Sequence, residues 1–174
     1  MLDGIAAVFA RLRVPLGFLS AAAVIWLSQP TAKSLAIGAL VAAIGEALRI
    51  WAAGHLDKGR EVTQSGPYRM TRHPLYAGSA IIAVGLAIAS ARGVVAALIA
   101  TYVAIAIGSA VRHEEASMRA AFGDEYEAYA ESRATPVERP FSFTRAMKIN
   151  KEYKAVAGLA AVAAILAAKA ALHR

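Results

Sequence analysis

The sequence GPYRMTRHPLYAGSAIIAVGLAIASA, residues 66–91, joins a polar, cationic stretch directly to a long apolar one. The polar part holds two prolines, and the residue before a proline avoids helical geometry. We therefore predict a loop from Gly54 to Pro74 and a helix that begins at Pro74. Free helix-end amides, the His73 imidazole and aromatic rings then meet at one end of an apolar helix, which is where we expect chemistry.

The apolar residues of this 174-residue chain collect into five blocks, and 58% of all residues are hydrophobic. The blocks lie at about residues 14–29, 35–53, 75–91, 93–111 and 155–172. A membrane-spanning helix needs about 20 mostly apolar residues, so the middle three blocks qualify, whereas the first is a little short and Lys169 interrupts the last. We predict an all-α integral membrane protein with about five transmembrane helices, in which residues 155–172 form the last transmembrane helix or an interfacial one.

The net charge of +7 follows membrane topology rather than one basic face, so we do not expect nucleic acid as a partner. With a cytoplasmic amino terminus, only Lys33, Arg92, Lys169 and Arg174 lie outside. The inside segments then hold Arg11, Arg13, Lys58, Arg60, Arg69, Arg72 and all basic residues from Arg112 to Lys154. This asymmetry predicts a multi-pass, N-in and C-out protein of a bacterial cytoplasmic membrane, with both polar loops on the cytoplasmic side.

The chain has no internal repeat, and residues 1–174 read as one membrane domain with two cytoplasmic elaborations, 54–74 and 112–154. Arg92-Gly93 is a very short turn, so the third and fourth blocks form an antiparallel hairpin with both polar ends on one side. The loop before the third helix and the segment after the fourth helix should therefore lie close together. The sequence predicts a composite cytoplasmic pocket at this point.

Several ionisable residues allow a structural interpretation as well as a functional one. The chain has no cysteine, which excludes thiol catalysis and Cys-based zinc sites. Glu114 and Glu115 are neighbours on a helix and point about 100° apart, so they are poor joint ligands and we expect no metal site. Glu46 and Arg49 lie one helical turn apart, either as a structural ion pair or as part of the site.

Four short stretches in fixed order carry a more specific signal: VTQSGPY at 62–68, RHPLYAG at 72–78, EEASM at 114–118 and FGDEY at 122–126. Together they resemble the isoprenylcysteine carboxyl methyltransferase family, with a wider similarity to phospholipid methyltransferases. The resemblance covers roughly residues 46–141. It implies an integral membrane enzyme that transfers a methyl group from S-adenosylmethionine, with S-adenosylhomocysteine as product, to a small lipophilic molecule or lipid.

The resemblance also implies site residues, carried over position by position. The cofactor contacts fall on Val62, Tyr68, His73, Pro74, Leu75, Tyr76 and Glu114. Where the carboxyl methyltransferases place a substrate-binding arginine, this chain has Ala110, and the nearest arginine is Arg112. Arg112 and His73 are therefore the catalytic candidates, with His113 as an alternative base for an amine or thiol acceptor.

The sequence also allows two other functional hypotheses. Membrane sterol reductases resemble this family in their carboxyl-terminal region and hold a nicotinamide dinucleotide. A non-enzymatic scaffold that binds lipid would fit the missing arginine. Cofactor binding separates the three: a methyltransferase binds S-adenosylhomocysteine, a reductase binds a nicotinamide dinucleotide, and a scaffold binds neither.

Overall fold

The computed structural model of the protein describes residues 21–135 and 137–172, and this part of the chain contains helices but no β-strand. Residues 21–27 are helical. The helices that follow are α1 (Ala32–His55), α2 (Pro74–Ser90), α3 (Gly93–Phe122), α4 (Asp124–Ala130) and α5 (Tyr153–Leu172). A 3-10 helix, Gly66–Arg69, lies in the loop before α2, and a π-helix, Arg145–Ile149, precedes α5. The predicted all-α class is confirmed.

Four of the five apolar blocks appear as helices. By length and composition α1, α3 and α5 can cross a membrane, whereas α2 is a shorter apolar helix of 17 residues. Most of the first predicted span, 14–29, lies outside the described residues, as does the amino-terminal segment with Arg11 and Arg13. The total of five spans therefore stays a prediction.

Lys169 does not break the last helix, because its ammonium group has backbone partners. Its Nζ atom donates to the carbonyl oxygens of Ile25 at 2.8 Å and Trp26 at 2.5 Å. These carbonyls lie near the end of the helical segment 21–27, where the last carbonyls of a helix lack partners within that helix. A cation at this position also favours the negative end of the helix dipole.

α2 begins at Pro74, as predicted, and runs antiparallel to α3 after a turn in which Ala91 adopts a left-handed conformation with φ of 53°. α1 and α2 pack backbone to backbone at glycines. A Cβ atom on Gly45 would lie 2.6 Å from the Gly78 oxygen, and one on Gly85 would lie 2.6 Å from the Ala42 nitrogen. No side chain fits at these points, which is why small residues occur there.

The segment between α4 and α5 closes the polar end of α1. The Asn150 Nδ2 atom donates to the carbonyls of Ala53 at 2.8 Å and Leu56 at 3.0 Å. The Arg145 Nη1 atom donates to the Gly54 carbonyl at 2.7 Å. These side chains satisfy carbonyls that a helix end leaves without intrahelical partners, and they fix the point at which the chain leaves α1 for the loop.

Candidate active site

The loop before α2 is held against α4 by one hydrogen bond between two tyrosines. The Tyr129 hydroxyl donates to the backbone carbonyl of Tyr68 at 2.8 Å. Tyr68 lies in the 3-10 turn and is buried, and Tyr126 packs edge-on against Tyr129 with ring centroids 6.2 Å apart. The two elaborations that are far apart in sequence therefore meet, as the helical hairpin predicted.

The second connection joins the last loop residues to α3. The Nε2 atom of His73 lies 3.1 Å from Oε1 of Glu115, and the Arg72 Nη1 atom lies 3.1 Å from the same oxygen. The Arg119 Nη1 atom lies 3.6 Å from the other carboxylate oxygen. His73 and Glu115 are mostly buried, with side-chain exposures of 17% and 18%. The hydrogen bond with His73, together with the charges of Arg72 and Arg119, holds the pKa of the Glu115 carboxyl below its usual range.

The other ring nitrogen of His73 makes no hydrogen bond to the described residues. Its Nδ1 atom is buried and has no hydrogen-bond partner within the described ranges. In the tautomer that donates from Nε2 to the Glu115 carboxylate, a neutral imidazole has its lone pair at Nδ1. The Tyr76 ring lies beside the imidazole, with centroids 5.9 Å apart and planes tilted by 34°. A buried, oriented and unsatisfied nitrogen of this kind suits a ligand.

The start of α2 contributes one backbone donor rather than several. Pro74 has no N–H, and the amides of Tyr76 and Ala77 both donate to the His73 carbonyl, at 3.1 Å and 3.0 Å. The Leu75 amide remains as the donor of the first turn. We expected a set of free amides here, and the tight first turn reduces that set to one.

The two tyrosines that join the elaborations are neutral phenols. Burial, followed by the negative charge of Glu114, raises the pKa of the Tyr68 hydroxyl well above its ordinary value. Burial also raises the pKa of Tyr129 to about 12. Both groups can therefore donate hydrogen bonds at physiological pH but cannot serve as general bases.

The residues implied by the resemblance do not all meet. His73, Pro74, Leu75 and Tyr76 form the junction itself, and Tyr68 joins it through Tyr129 and α4. Val62 is buried in the earlier part of the loop, where Arg139 binds Asp57 and Glu61 at 3.0 Å and 2.5 Å.

Glu114 and Arg112 are exposed on α3. The Arg112 Nε atom donates to the Gly108 carbonyl of its own helix at 3.0 Å, so its guanidinium is not turned toward His73. The two catalytic candidates, Arg112 and His73, are thus not in contact in this structure.

Glu115 is the carboxylate that contacts the loop, whereas the resemblance singled out its neighbour Glu114. On a helix, Glu115 shares a face with Met118 and Phe122, three and seven residues later, and all three are partly buried. Glu114 lies on a different, exposed face. The apolar pair at 118 and 122 was the signal that this carboxylate, rather than Glu114, faces the loop.

Arg49 has a partner that the sequence did not predict. Its Nε and Nη2 atoms both lie 2.6 Å from Oε1 of Glu152, a buried residue just before α5, whereas Nε lies 3.9 Å from Glu46. Its Nη1 atom donates to Ser79 Oγ at 2.5 Å and to the Leu75 carbonyl at 3.4 Å. The expected Glu46–Arg49 pair is thus a distant one, and Arg49 instead ties α1 to the first turns of α2.

Comparison with known proteins identifies a family model that matches this chain. The family model described as phospholipid methyltransferase matches residues 12–125. The nickel-cobalt-cadmium resistance protein NccN of Alcaligenes xylosoxydans xylosoxydans is 32% identical over 117 residues, which cover 66% of this chain and 52% of NccN. The chain thus spans about half the length of that curated relative. No solved structure matches the chain.

Proposed function

This chain belongs to the phospholipid methyltransferase family, a family of membrane methyltransferases, and from that premise we propose that it methylates a lipophilic acceptor with S-adenosylmethionine as donor. The observation that carries the proposal is the junction at His73. A histidine fixed by Glu115 presents an unsatisfied, buried Nδ1 atom at the start of an apolar helix. A polar cofactor and a membrane-borne acceptor can meet at such a place.

The residues at the junction suit the groups of S-adenosylmethionine. The Leu75 amide at the start of α2 can donate to the methionyl carboxylate, which the positive end of the helix dipole also favours. Glu114 can accept from the ribose hydroxyls or pair with the amino group. The rings of Tyr68 and Tyr76 offer faces to the sulfonium cation.

When bound, S-adenosylmethionine supplies an electrophilic methyl group on a sulfonium. The protein then has to align the acceptor, exclude water and, for some acceptors, take up a proton. A carboxylate acceptor needs no base. An amine or thiol must lose a proton, and His73 Nδ1 is buried and oriented for that task, whereas His113 is exposed on α3.

Arg112 keeps a role in the proposal as the group that binds an anionic part of the acceptor. Its side chain lies along α3 and donates to the Gly108 carbonyl, a bond it can exchange for a carboxylate or phosphate. The basic residues of both elaborations favour the cytoplasmic side of the membrane for this reaction.

The relative NccN carries metal resistance in its name, and we propose tolerance of nickel, cobalt and cadmium as a phenotype to score in a deletion strain. Within residues 21–135 and 137–172, no three His, Asp or Glu side chains gather as a metal site. We propose that the link runs through methylation of a membrane component.

Calorimetric titration of the purified protein with S-adenosylhomocysteine, in detergent and in lipid nanodiscs, tests the proposed cofactor. We expect saturable binding that His73→Ala and Glu114→Ala both weaken, while His113→Ala, on an exposed position of α3, leaves affinity unchanged. Binding of a nicotinamide dinucleotide instead would support the sterol-reductase hypothesis. Binding of neither compound by the wild type would remove the methyltransferase proposal.

A further inference from the structure

A half-open cavity of about 400 Å³ lies between helices in the described part of the chain. It is bounded by α1, α2 and α5, and its wall includes Ala42, Glu46, Ile50, Leu86, Leu159 and Leu166. Sites for small lipophilic molecules usually have volumes of about 300–1,000 Å³ and a mostly apolar lining with a few polar groups. This cavity has those properties, with Glu46 as the ionisable group in its wall.

Glu46 is buried, with a relative exposure of 7%. Neither carboxylate oxygen accepts a hydrogen bond from any residue in the described part of the chain. Glu46 lies eight residues before Gly54, or roughly 12 Å along α1 from its polar end. A carboxylate at that depth, in a helix that can cross a membrane, is costly unless a partner satisfies it.

The cation nearest to Glu46 is already engaged. Arg49 approaches Glu152 at 2.6 Å with two nitrogens and Ser79 with the third, and its closest approach to Glu46 is 3.9 Å. This cluster therefore contains two carboxylates, Glu46 and Glu152, and one guanidinium. A bound cation next to Glu46 would favour ionisation of both carboxylates, and the three side chains then carry one net negative charge at the cavity wall.

We propose that this cavity binds a single-chain lipophilic amine, with its ammonium group on Glu46 and its hydrocarbon chain between α1, α2 and α5. One ammonium group neutralises the charge of the cluster and supplies donors to the two unsatisfied oxygens. A zwitterionic phospholipid headgroup fits less well, because its phosphate would need a further cation, and Arg49 is committed to Glu152. The volume also suits one hydrocarbon chain better than two.

The site is separate from the proposed methyl-transfer site, and the proposal does not depend on cofactor binding. Glu46 faces the interior of the bundle among apolar residues of three helices, whereas His73 faces Glu115 on α3. A protein that binds no S-adenosylhomocysteine would still bind the amine. The two proposals can therefore fail independently.

Photo-crosslinking in nanodiscs tests the proposal. The probe is dodecylamine with a diazirine in its alkyl chain, and mass spectrometry locates the labelled peptides. We expect labelling of α1 and α5 in the wild type, with competition by unlabelled dodecylamine but at least about tenfold weaker competition by dodecanol and by dodecylphosphoethanolamine. Glu46→Gln should reduce labelling of these peptides by at least about tenfold, while Glu125→Gln on exposed α4 should not.

A second variant keeps the test informative if Glu46→Gln does not fold. Ala163→Leu, in the cavity wall on α5, leaves Glu46 in place but narrows the space for the chain, so it should also reduce labelling. Circular dichroism and gel filtration of both variants establish that they are folded. Equal labelling in folded Glu46→Gln, or equal competition by dodecanol, would overturn the proposal.

Discussion

The Nε2 atom of His73 lies 3.1 Å from Oε1 of Glu115, a residue 42 positions later in the chain. This contact fixes the imidazole at the start of α2 and leaves its Nδ1 atom buried and without a partner in the described residues. Arg72 and Arg119 hold the Glu115 carboxylate from two directions. The arrangement holds the His73 imidazole in one orientation, with Glu115 as the residue that positions it.

Replacing Glu115 with alanine should weaken S-adenosylhomocysteine binding although Glu115 need not touch the cofactor. Carboxylates that orient metal-binding histidines contribute about 10- to 100-fold in affinity, and we expect a loss of about tenfold here. Calorimetry of Glu115→Ala, His73→Ala and the double variant should show non-additive losses, because both changes remove one arrangement. Additive losses would mean that Glu115 acts on its own, and Glu125→Gln serves as the unaffected control.

The Tyr129→Phe variant should be less stable than the wild type. It removes the 2.8 Å hydrogen bond to the Tyr68 carbonyl and leaves that acceptor unsatisfied in a buried turn. We expect a loss of about 1 kcal/mol, measured as a lower thermal unfolding midpoint in detergent. Tyr153→Phe removes the hydroxyl of a half-exposed tyrosine and should leave the midpoint unchanged. Equal midpoints for the two variants would show that the tyrosine contact contributes nothing to stability.

Two glycine-to-alanine changes should have opposite effects. In Gly85→Ala the new methyl group would lie 2.6 Å from backbone atoms of α1, so the helices must separate, at a cost of about 1–3 kcal/mol. In Gly158→Ala, on α5, no atom of the described residues lies within 4 Å of the added group. The lower entropy of the unfolded chain should stabilise the protein by about 0.5–1 kcal/mol. Thermal unfolding of both variants measures the difference. A similar shift in both would contradict the close packing of α1 on α2.

The Arg49→Met variant should be strongly destabilised. It leaves the buried Glu152 carboxylate without its cation, and removal of one partner from a buried ion pair costs about 3–5 kcal/mol. The matched control is Arg133→Met, because Arg133 pairs with Glu131 at the surface and should contribute at most about 1 kcal/mol. The readout is the yield of folded protein together with its unfolding midpoint. A variant at Arg49 as stable as the control would mean that the cluster does not hold the helices together.

Much of the fold follows from hydrophobic pattern and chain breakers. The last four apolar blocks, the start of α2 at Pro74 and the short turn before Gly93 lie where the sequence predicted them, because helix length and proline geometry are local properties. The sequence also predicted that the His73 loop approaches the end of α3. In a helical hairpin with one short turn, both polar ends lie on the same side.

The sequence did not predict which charged side chains pair with each other. Arg49 binds Glu152 rather than Glu46 because the segment before α5 folds back onto α1, a tertiary contact that no local spacing encodes. The choice of Glu115 over Glu114 depends on how α3 is rotated against the loop. That rotation agrees with the partly buried positions 118 and 122 on the same face as Glu115.

The transfer of labelled methyl groups tests the central claim most directly. Membranes that contain the protein are incubated with S-adenosylmethionine labelled in its methyl group, and label in the lipid extract is measured against membranes without the protein. We expect wild-type and His113→Ala membranes to label a lipophilic product, and His73→Ala membranes to label at least about tenfold less. Label no higher than in membranes without the protein, or equal labelling by His73→Ala, would contradict the account.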